Sequence, residues 1–101
     1  MTPRSREHIA FYAGSFDPFT LGHFSVVRRA TALFDRVIVA VGVNESKLNS
    51  GDIEDRLSAI RRATKSFGDR VVVMSYTGLT VDAARSAGAT CLLRGVRNTS
   101  D

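Results

Sequence analysis

Short apolar runs alternate along this chain with segments of helical periodicity, and this alternation limits the possible folds more than any other feature. Four runs, at residues 8–13, 37–43, 71–74 and 90–93, have the length and composition of strands. A segment with apolar residues at helical spacing follows each of the first three runs. The pattern predicts an α/β fold, a Rossmann-like parallel sheet flanked by helices and joined by right-handed crossovers.

Three helices are predicted between the strands. Thr20 is expected to cap the first helix through its hydroxyl group. Asp52 is expected to cap the second helix, which Gly68 would end. The third helix is predicted over residues 79–87, with Gly88 as its stop.

Length and charge narrow the class of protein further. The 101 residues are interpreted as a single domain, residues 1–101, with a polar lead-in at residues 1–7. The formal charge of +4 suits an anionic ligand, but no dense Lys/Arg block suggests nucleic-acid binding. Because no apolar run approaches the roughly 20 residues of a membrane helix, and no signal-peptide pattern is present, a cytoplasmic protein without membrane contact is expected.

Three polar motifs begin where predicted strands end, at residues 14–23, 44–47 and 94–97. Ligands of parallel α/β sheets bind beyond the carboxyl ends of the strands, where the strand order reverses. The motifs are therefore expected to meet at one edge of the sheet and to form the functional site.

The first motif has the residue types that an anion site at a helix start requires. Gly14 is expected to allow a sharp turn and a close phosphate approach, and Pro18 to stiffen the loop. With Thr20 as the cap, Gly22 and His23 fall in the first helical turn, where free N–H groups and the helix dipole favour anions. His23 can then donate a hydrogen bond to oxygens that gain charge during phosphoryl or nucleotidyl transfer.

Basic residues complete the motifs after the second and fourth strands. Lys47 alone is weak support, whereas Arg94 and Arg97 flank Gly95 directly after a strand and can clamp phosphate oxygens. The sequence has no Walker loop, no Gly-x-Gly-x-x-Gly, no nucleophile–base pair and no metal-ligand cluster. That composition favours direct in-line transfer, in which catalysis is positioning and charge stabilisation.

Residues 14–23, Gly-Ser-Phe-Asp-Pro-Phe-Thr-Leu-Gly-His, closely resemble the signature of the phosphopantetheine adenylyltransferases, which are nucleotidyltransferases. The likeness continues through residues 34–41, 44–47, 78–84 and 94–101. The resemblance implies the nucleotidyltransferase form of the fold, shared with adenine nucleotide alpha hydrolase-like proteins. It also implies transfer of AMP from ATP to 4′-phosphopantetheine with Mg²⁺, giving dephospho-coenzyme A and pyrophosphate in coenzyme A synthesis.

The resemblance also implies a role for individual residues, with His23 as the catalytic residue. A homo-oligomer, a hexamer in the family, is expected. Ala13 and residues 48–51 depart from the family pattern, and family members continue beyond the position of Asp101 with about a third more of the domain, so the chain is expected to be C-terminally truncated. The implied ATP contacts are Gly14, Ser15, Phe16, Gly22, His23 and Arg97, and the implied acceptor contacts are Ser15, Lys47, Leu79, Thr80 and Arg94.

Two alternatives stay open at this point. The same His23 loop serves other cytidylyl- and adenylyltransferases, which use different phosphorylated acceptors. A truncated chain could also hold nucleotide or pantetheine without turning it over.

Overall fold

The computed structural model describes residues 7–16, 18–43 and 50–94. Strands and helices alternate in it as the apolar pattern predicts, so the α/β prediction is confirmed. Among the helices described, none has both the length and the apolar composition needed to cross a bilayer. The elements are β1 (Ile9–Gly14), α1 (Leu21–Leu33), β2 (Arg36–Gly42), α2 (Ser50–Ala63), a 3₁₀ segment (Lys65–Arg70), β3 (Val71–Tyr76), α3 (Thr80–Ser86) and β4 (Cys91–Arg94).

The four described strands form one sheet in the order β3-β2-β1-β4, and every neighbouring pair is parallel. The chain steps outward from β1 to β2 and β3, and then returns across the sheet to place β4 on the other side of β1. The strand order therefore reverses between β1 and β4, which is where ligands of such sheets bind.

The two faces of the sheet carry separate cores. On one face, Tyr12 and Val39 pack with residues of α1 and α2, including the fully buried Ile60. On the other face, Phe11 packs with Ala84 of α3. This division follows from right-handed crossovers, because the return step from β3 to β4 runs opposite to the first two and puts its helix on the opposite face.

The predicted N-cap of α1 and the predicted stop of α3 are confirmed. Thr20 is the N-cap of α1, and its side chain accepts a hydrogen bond from the backbone of the third helical residue. At the end of α3, Gly88 has φ 80° and its N–H donates to the Arg85 carbonyl at 3.0 Å. The N–H of Ala89 donates to the Ala84 carbonyl at 3.0 Å, which completes a Schellman motif.

Both predicted ends of α2 are wrong. The helix begins at Ser50, so Asp52 lies in its first turn and is not its cap. Acidic residues are favoured throughout a first turn, so the presence of one does not identify the cap. Thr64 follows the helix and donates its hydroxyl proton to the Ile60 carbonyl at 2.9 Å, and Gly68 takes its positive φ of 62° later, within the 3₁₀ segment.

Candidate functional site

The loop between β1 and α1 forms a cleft at the carboxyl edge of the sheet. It lies beside the reversal of strand order, because Gly14 pairs with Val41 of β2 and Ala13 pairs with Arg94 of β4. The strand order of the sheet therefore puts the first motif, residues 14–23, at the carboxyl edge, where the sequence predicts the functional site. The cleft has a volume of about 310 Å³ and is lined by Ala13, Gly14, Ser15, Phe16, Pro18, Thr20 and His23.

Thr20 and His23 cap the helix reciprocally. The backbone N–H of Thr20 donates to Nδ1 of His23 at 2.9 Å. The backbone N–H of His23 donates in return to the Thr20 hydroxyl oxygen at 3.4 Å. This is a capping box in which histidine replaces the usual glutamate or glutamine at the third helical position.

The capping box determines which ring nitrogen of His23 carries the proton. A backbone N–H can only donate, so Nδ1 must accept and the proton of the neutral ring resides on Nε2. Within the described residues, Nε2 has no hydrogen-bond partner, and the ring lines the cleft. Burial lowers the pKa of His23, and the positive end of α1 acts in the same direction. The site thus presents a neutral N–H donor to whatever occupies the cleft.

Aromatic side chains hold the His23 ring on three sides. Phe19 stacks on it with ring centroids 5.6 Å apart and an interplanar angle of 27°. Phe16 meets it edge-on at 5.0 Å, and Tyr12 lies at 6.4 Å. Together with the hydrogen bond at Nδ1, these contacts fix the direction in which Nε2 points.

The turn out of β1 is made differently from the prediction. Phe16, rather than Gly14, has the positive backbone angle, with φ 46°. Gly14 matters for space: a Cβ there would lie 3.1 Å from Cζ of Phe16, whose side chain is only 3% exposed. The expectation that Gly14 supplies the turn is wrong, because its missing side chain instead makes room for the Phe16 ring.

Gly22 has no comparable packing role. A Cβ on this exposed residue would meet only the Thr20 hydroxyl oxygen, at an ordinary distance of 3.6 Å. Nothing among the described residues therefore requires glycine here. The first turn of α1 is left open to the solvent, and a ligand can approach its backbone.

Leu79 and Thr80 lie at the same edge of the sheet, after β3, but two strands away from β1. The side chain of Leu79 is 70% exposed. The Thr80 hydroxyl lies 2.8 Å from the hydroxyl oxygen of Tyr76, so it already has a partner within the protein. In the described residues these two positions do not line the candidate cleft.

Of the three predicted basic residues, only Arg94 lies within the described part of the chain. Arg94 ends β4 with its Cα in register with Ala13, which puts its backbone next to the β1–α1 loop. Lys47 and Arg97 lie outside the described residues. Ser15 is exposed in the loop, and its carbonyl oxygen accepts a hydrogen bond from Nη1 of Arg56 at 3.3 Å.

Sequence reasoning missed three residues that build the site: Tyr12, Phe19 and Arg56. In the sequence, the pattern around Tyr12 is that of any inward-facing strand residue, and Phe19 is one more apolar residue within the first motif. A histidine with aromatic residues four, seven and eleven positions before it was a usable signal for the first motif. No signal marked Arg56, because its contact with the loop spans 41 residues.

A larger cavity of about 560 Å³ lies at the amino ends of β2 and β3 and is lined in part by Arg36, Arg61 and Lys65. None of the predicted site residues lines it. Parallel sheets bind their ligands at the opposite edge, beyond the carboxyl ends of the strands, so we place the site in the smaller cleft. Among the described residues, no group of three or more His, Cys, Asp or Glu side chains could hold a metal ion.

Comparison with known proteins gives a consistent set of relatives. Residues 11–101 match the family described as cytidylyltransferase-like. The chain is 48% identical over 96 residues to a phosphopantetheine adenylyltransferase of Porphyromonas gingivalis, covering 95% of this chain and 62% of the relative. The corresponding proteins of Gloeobacter violaceus (50% over 93 residues, 92% and 57% covered) and Streptococcus pneumoniae (43% over 95 residues, 94% and 59% covered) are also similar. The chain spans about three-fifths of the length of these curated relatives.

Proposed function

The chain belongs to the cytidylyltransferase-like family, and we propose that it is an adenylyltransferase that transfers AMP from ATP to 4′-phosphopantetheine. Dephospho-coenzyme A and pyrophosphate would be the products. The names of the relatives and their similarity over 92–95% of this chain support the choice of reaction. The motifs at residues 14–23, 44–47 and 94–97 support the choice of acceptor.

One structural observation carries the proposal: the hydrogen bond from the Thr20 N–H to Nδ1 of His23 leaves Nε2–H as a donor beside the cleft. In the reaction, an oxygen of the acceptor phosphate bonds to the α-phosphorus of ATP. The bond from that phosphorus to the β-bridging oxygen breaks, and pyrophosphate leaves with the electron pair. Nε2–H of His23 would donate to an α-phosphoryl oxygen as negative charge builds there, and no proton needs to move.

The start of α1 would hold the phosphates of the nucleotide. Its first N–H groups and the positive end of the helix dipole favour an anion. Gly22 has no side chain to cover the backbone of that turn at its own position, which allows phosphate oxygens to reach it. Gly14, Ser15, Phe16 and Arg97 are proposed as further ATP contacts.

The acceptor is proposed to bind along the carboxyl edge of the sheet, with contacts from the ends of both β4 and β3. Ser15 lines the cleft, and Arg94 ends the strand beside it. Leu79, with 70% of its side chain exposed, offers apolar surface to the pantetheine arm. Lys47 and Thr80 are proposed as further acceptor contacts.

Magnesium is proposed to enter as its complex with ATP. Mg²⁺ in such sites is held mainly by phosphate oxygens and water, with few protein ligands. The expectations of a homo-oligomer, which is a hexamer in the family, and of a cytoplasmic location stay predictions, to be tested by light scattering and by cell fractionation.

The proposal is tested by incubating the full chain with MgATP and 4′-phosphopantetheine and measuring pyrophosphate and dephospho-coenzyme A. Formation of both products at the same rate supports it. Replacing ATP with CTP, or the acceptor with other phosphorylated compounds, tests the alternative transferases. Pyrophosphate released only with another nucleotide or acceptor would refute the assignment, and binding of both substrates without products would favour a non-catalytic module.

A further inference from the structure

We propose that Arg56 of α2 is a positioning residue for the proposed reaction, because it holds the Ser15–Phe16 peptide in the orientation that seats His23. Its Nη1 donates to the Ser15 carbonyl oxygen at 3.3 Å and joins two segments 41 residues apart. Arg56 is half-buried and lies on the second helix, whereas His23 lies on the first. The inference rests on the proposed function of His23.

The hydrogen bond acts on the strained part of the loop. The oxygen that accepts it belongs to the peptide group directly before the Cα of Phe16, the residue with φ 46°. A non-glycine residue keeps a left-handed conformation only where its surroundings impose it. Rotating this peptide plane would return Phe16 to ordinary angles and would turn the Ser15 carbonyl away from the guanidinium group. The hydrogen bond from the guanidinium group opposes that rotation.

The orientation of the peptide determines where the Phe16 ring lies. The ring is 3% exposed and contacts Tyr12 at 5.1 Å and His23 at 5.0 Å between centroids. A Cβ on Gly14 would press against this ring at 3.1 Å, so the missing side chain of Gly14 gives the ring its space. If the peptide rotates, the ring leaves this space, and His23 loses one of the aromatic contacts that direct Nε2.

The loop packs toward α2 through Phe16, which shares an apolar cluster with Ile53 and Leu57, but the contact between loop and helix is incomplete. A cavity of about 460 Å³ lies between them, lined by Phe16, Pro18 and Phe19 on the loop side and by residues of α2 that include Asp55 and Arg56. The Arg56 side chain spans this gap to reach the Ser15 carbonyl. The hydrogen bond is therefore a specific link between the helix and the loop across a space that apolar contacts leave open.

Arg56→Lys is the sharpest test, because it keeps the positive charge but ends one bond short of the guanidinium nitrogens and lacks their planar fork. Arg62→Lys is the matched control: the same substitution on the same helix, at an exposed residue that lines none of the described clefts. Three quantities are measured in the full chain: the NMR shifts of the His23 ring protons without substrates, kcat and KM for the proposed reaction, and the melting temperature.

We expect Arg56→Lys to shift the His23 ring resonances, because the ring currents of Phe16 and Phe19 act on them. We expect kcat to fall by about tenfold, equivalent to about 1.4 kcal/mol, and KM to change less. The reason is that the hydrogen bond from Nε2 of His23 contributes most in the transition state. Arg62→Lys should leave the ring resonances and kcat unchanged. Arg56→Met, which also removes the charge, should shift the same resonances and lower kcat at least as much.

Two results would overturn the proposal: His23 ring resonances in Arg56→Lys that match those of the control, or a kcat within twofold of the control value. A drop in melting temperature without a resonance shift would show a structural role only, and would also overturn it. The ring resonances need no substrate, so the two proposals can fail separately. A resonance shift in a protein that transfers no AMP would refute the reaction while supporting the positioning role.

Discussion

Replacing Gly22 with alanine should stabilise the free protein and weaken its binding of ATP. Glycine is a poor choice for a helix, and a Cβ here would meet only the Thr20 hydroxyl oxygen at 3.6 Å. The internal structure therefore accepts alanine without strain. A methyl group at this point projects from the first turn of α1, where the proposed function places the phosphates of ATP.

The two effects have opposite signs, and the effect on binding is the larger. Alanine is favoured over glycine by about 0.8–1.0 kcal/mol inside a helix. For the second helical position we expect about half of this, which raises the melting temperature of a domain of this size by roughly 2–4 °C. Forcing a methyl group against a tightly fitted ligand costs about 1–3 kcal/mol, which raises Kd by roughly 5- to 150-fold.

The assay is thermal unfolding of the parent and of Gly22→Ala, each with and without MgATP. At a concentration 100 times the parental Kd, the ligand stabilises the parent by about 2.7 kcal/mol. A tenfold weaker complex would gain only about 1.4 kcal/mol at the same concentration. The variant should therefore melt higher than the parent without nucleotide and gain less from it. Ala32→Gly, at an exposed position in the last turn of α1, is the control: it should lower the melting temperature and keep the full gain from MgATP.

The reasoning is refuted if Gly22→Ala gains as much from MgATP as the parent does. That result would mean that no nucleotide lies against the first turn of α1. A lower melting temperature of the free variant would contradict the packing argument instead, since it would show a steric role for glycine that the 3.6 Å contact does not reveal.

Three further predictions concern the same loop. His23→Ala should lower kcat by on the order of 100- to 1000-fold and the unfolding free energy by about 0.5–1 kcal/mol. His23→Glu should lose activity but keep the stability, because glutamate can accept the Thr20 N–H in a standard capping box. Steady-state rates and urea denaturation test this, and two equally unstable variants would contradict it. Gly14→Ala should cost about 1–3 kcal/mol of unfolding free energy by urea denaturation, because its Cβ would lie 3.1 Å from Cζ of Phe16; a stability equal to that of the parent would contradict this. Burial lowers the pKa of His23 below 6.5, so at mildly acidic pH the unfolded chain takes up a proton that the folded chain does not. The free energy of unfolding should therefore decrease as the pH falls from about 6.5 toward the folded-state pKa. The melting temperatures of the parent and of His23→Ala should diverge over this range, and a parallel pH dependence would contradict the pKa shift.

The architecture was predictable because it depends on features that can be read along the chain. Apolar runs of strand length and helical periodicity define the elements, and the handedness of crossovers then leaves few arrangements. The location of the site at the carboxyl edge of the sheet followed from the predicted topology alone. The position of the capping pair was also predictable, since Thr20 and His23 are only three residues apart and their hydrogen bonds are local.

The details of the loop were not predictable, because they depend on contacts that are distant in sequence. Local rules assign a left-handed turn to glycine, so the pattern pointed to Gly14, whereas the structure uses Phe16. Phe16 is held there by packing against Tyr12 and by the hydrogen bond from Arg56 to the preceding carbonyl. No property of Arg56 in the sequence distinguishes it from the solvated arginines of the same helix.

The capping box explains why a histidine suits this position better than the usual capping residues. Glutamate and glutamine cap a helix with the end of their side chain, which leaves no rigid second atom directed at a ligand. Imidazole has two nitrogens on opposite sides of a rigid ring, and in the neutral form an accepting Nδ1 requires a donating Nε2. The group that selects this tautomer is the backbone N–H of Thr20, which can only donate, and the Thr20 hydroxyl lies 3.1 Å from the same nitrogen. The structure of the helix start and the chemistry of the site are therefore set by the same hydrogen bond.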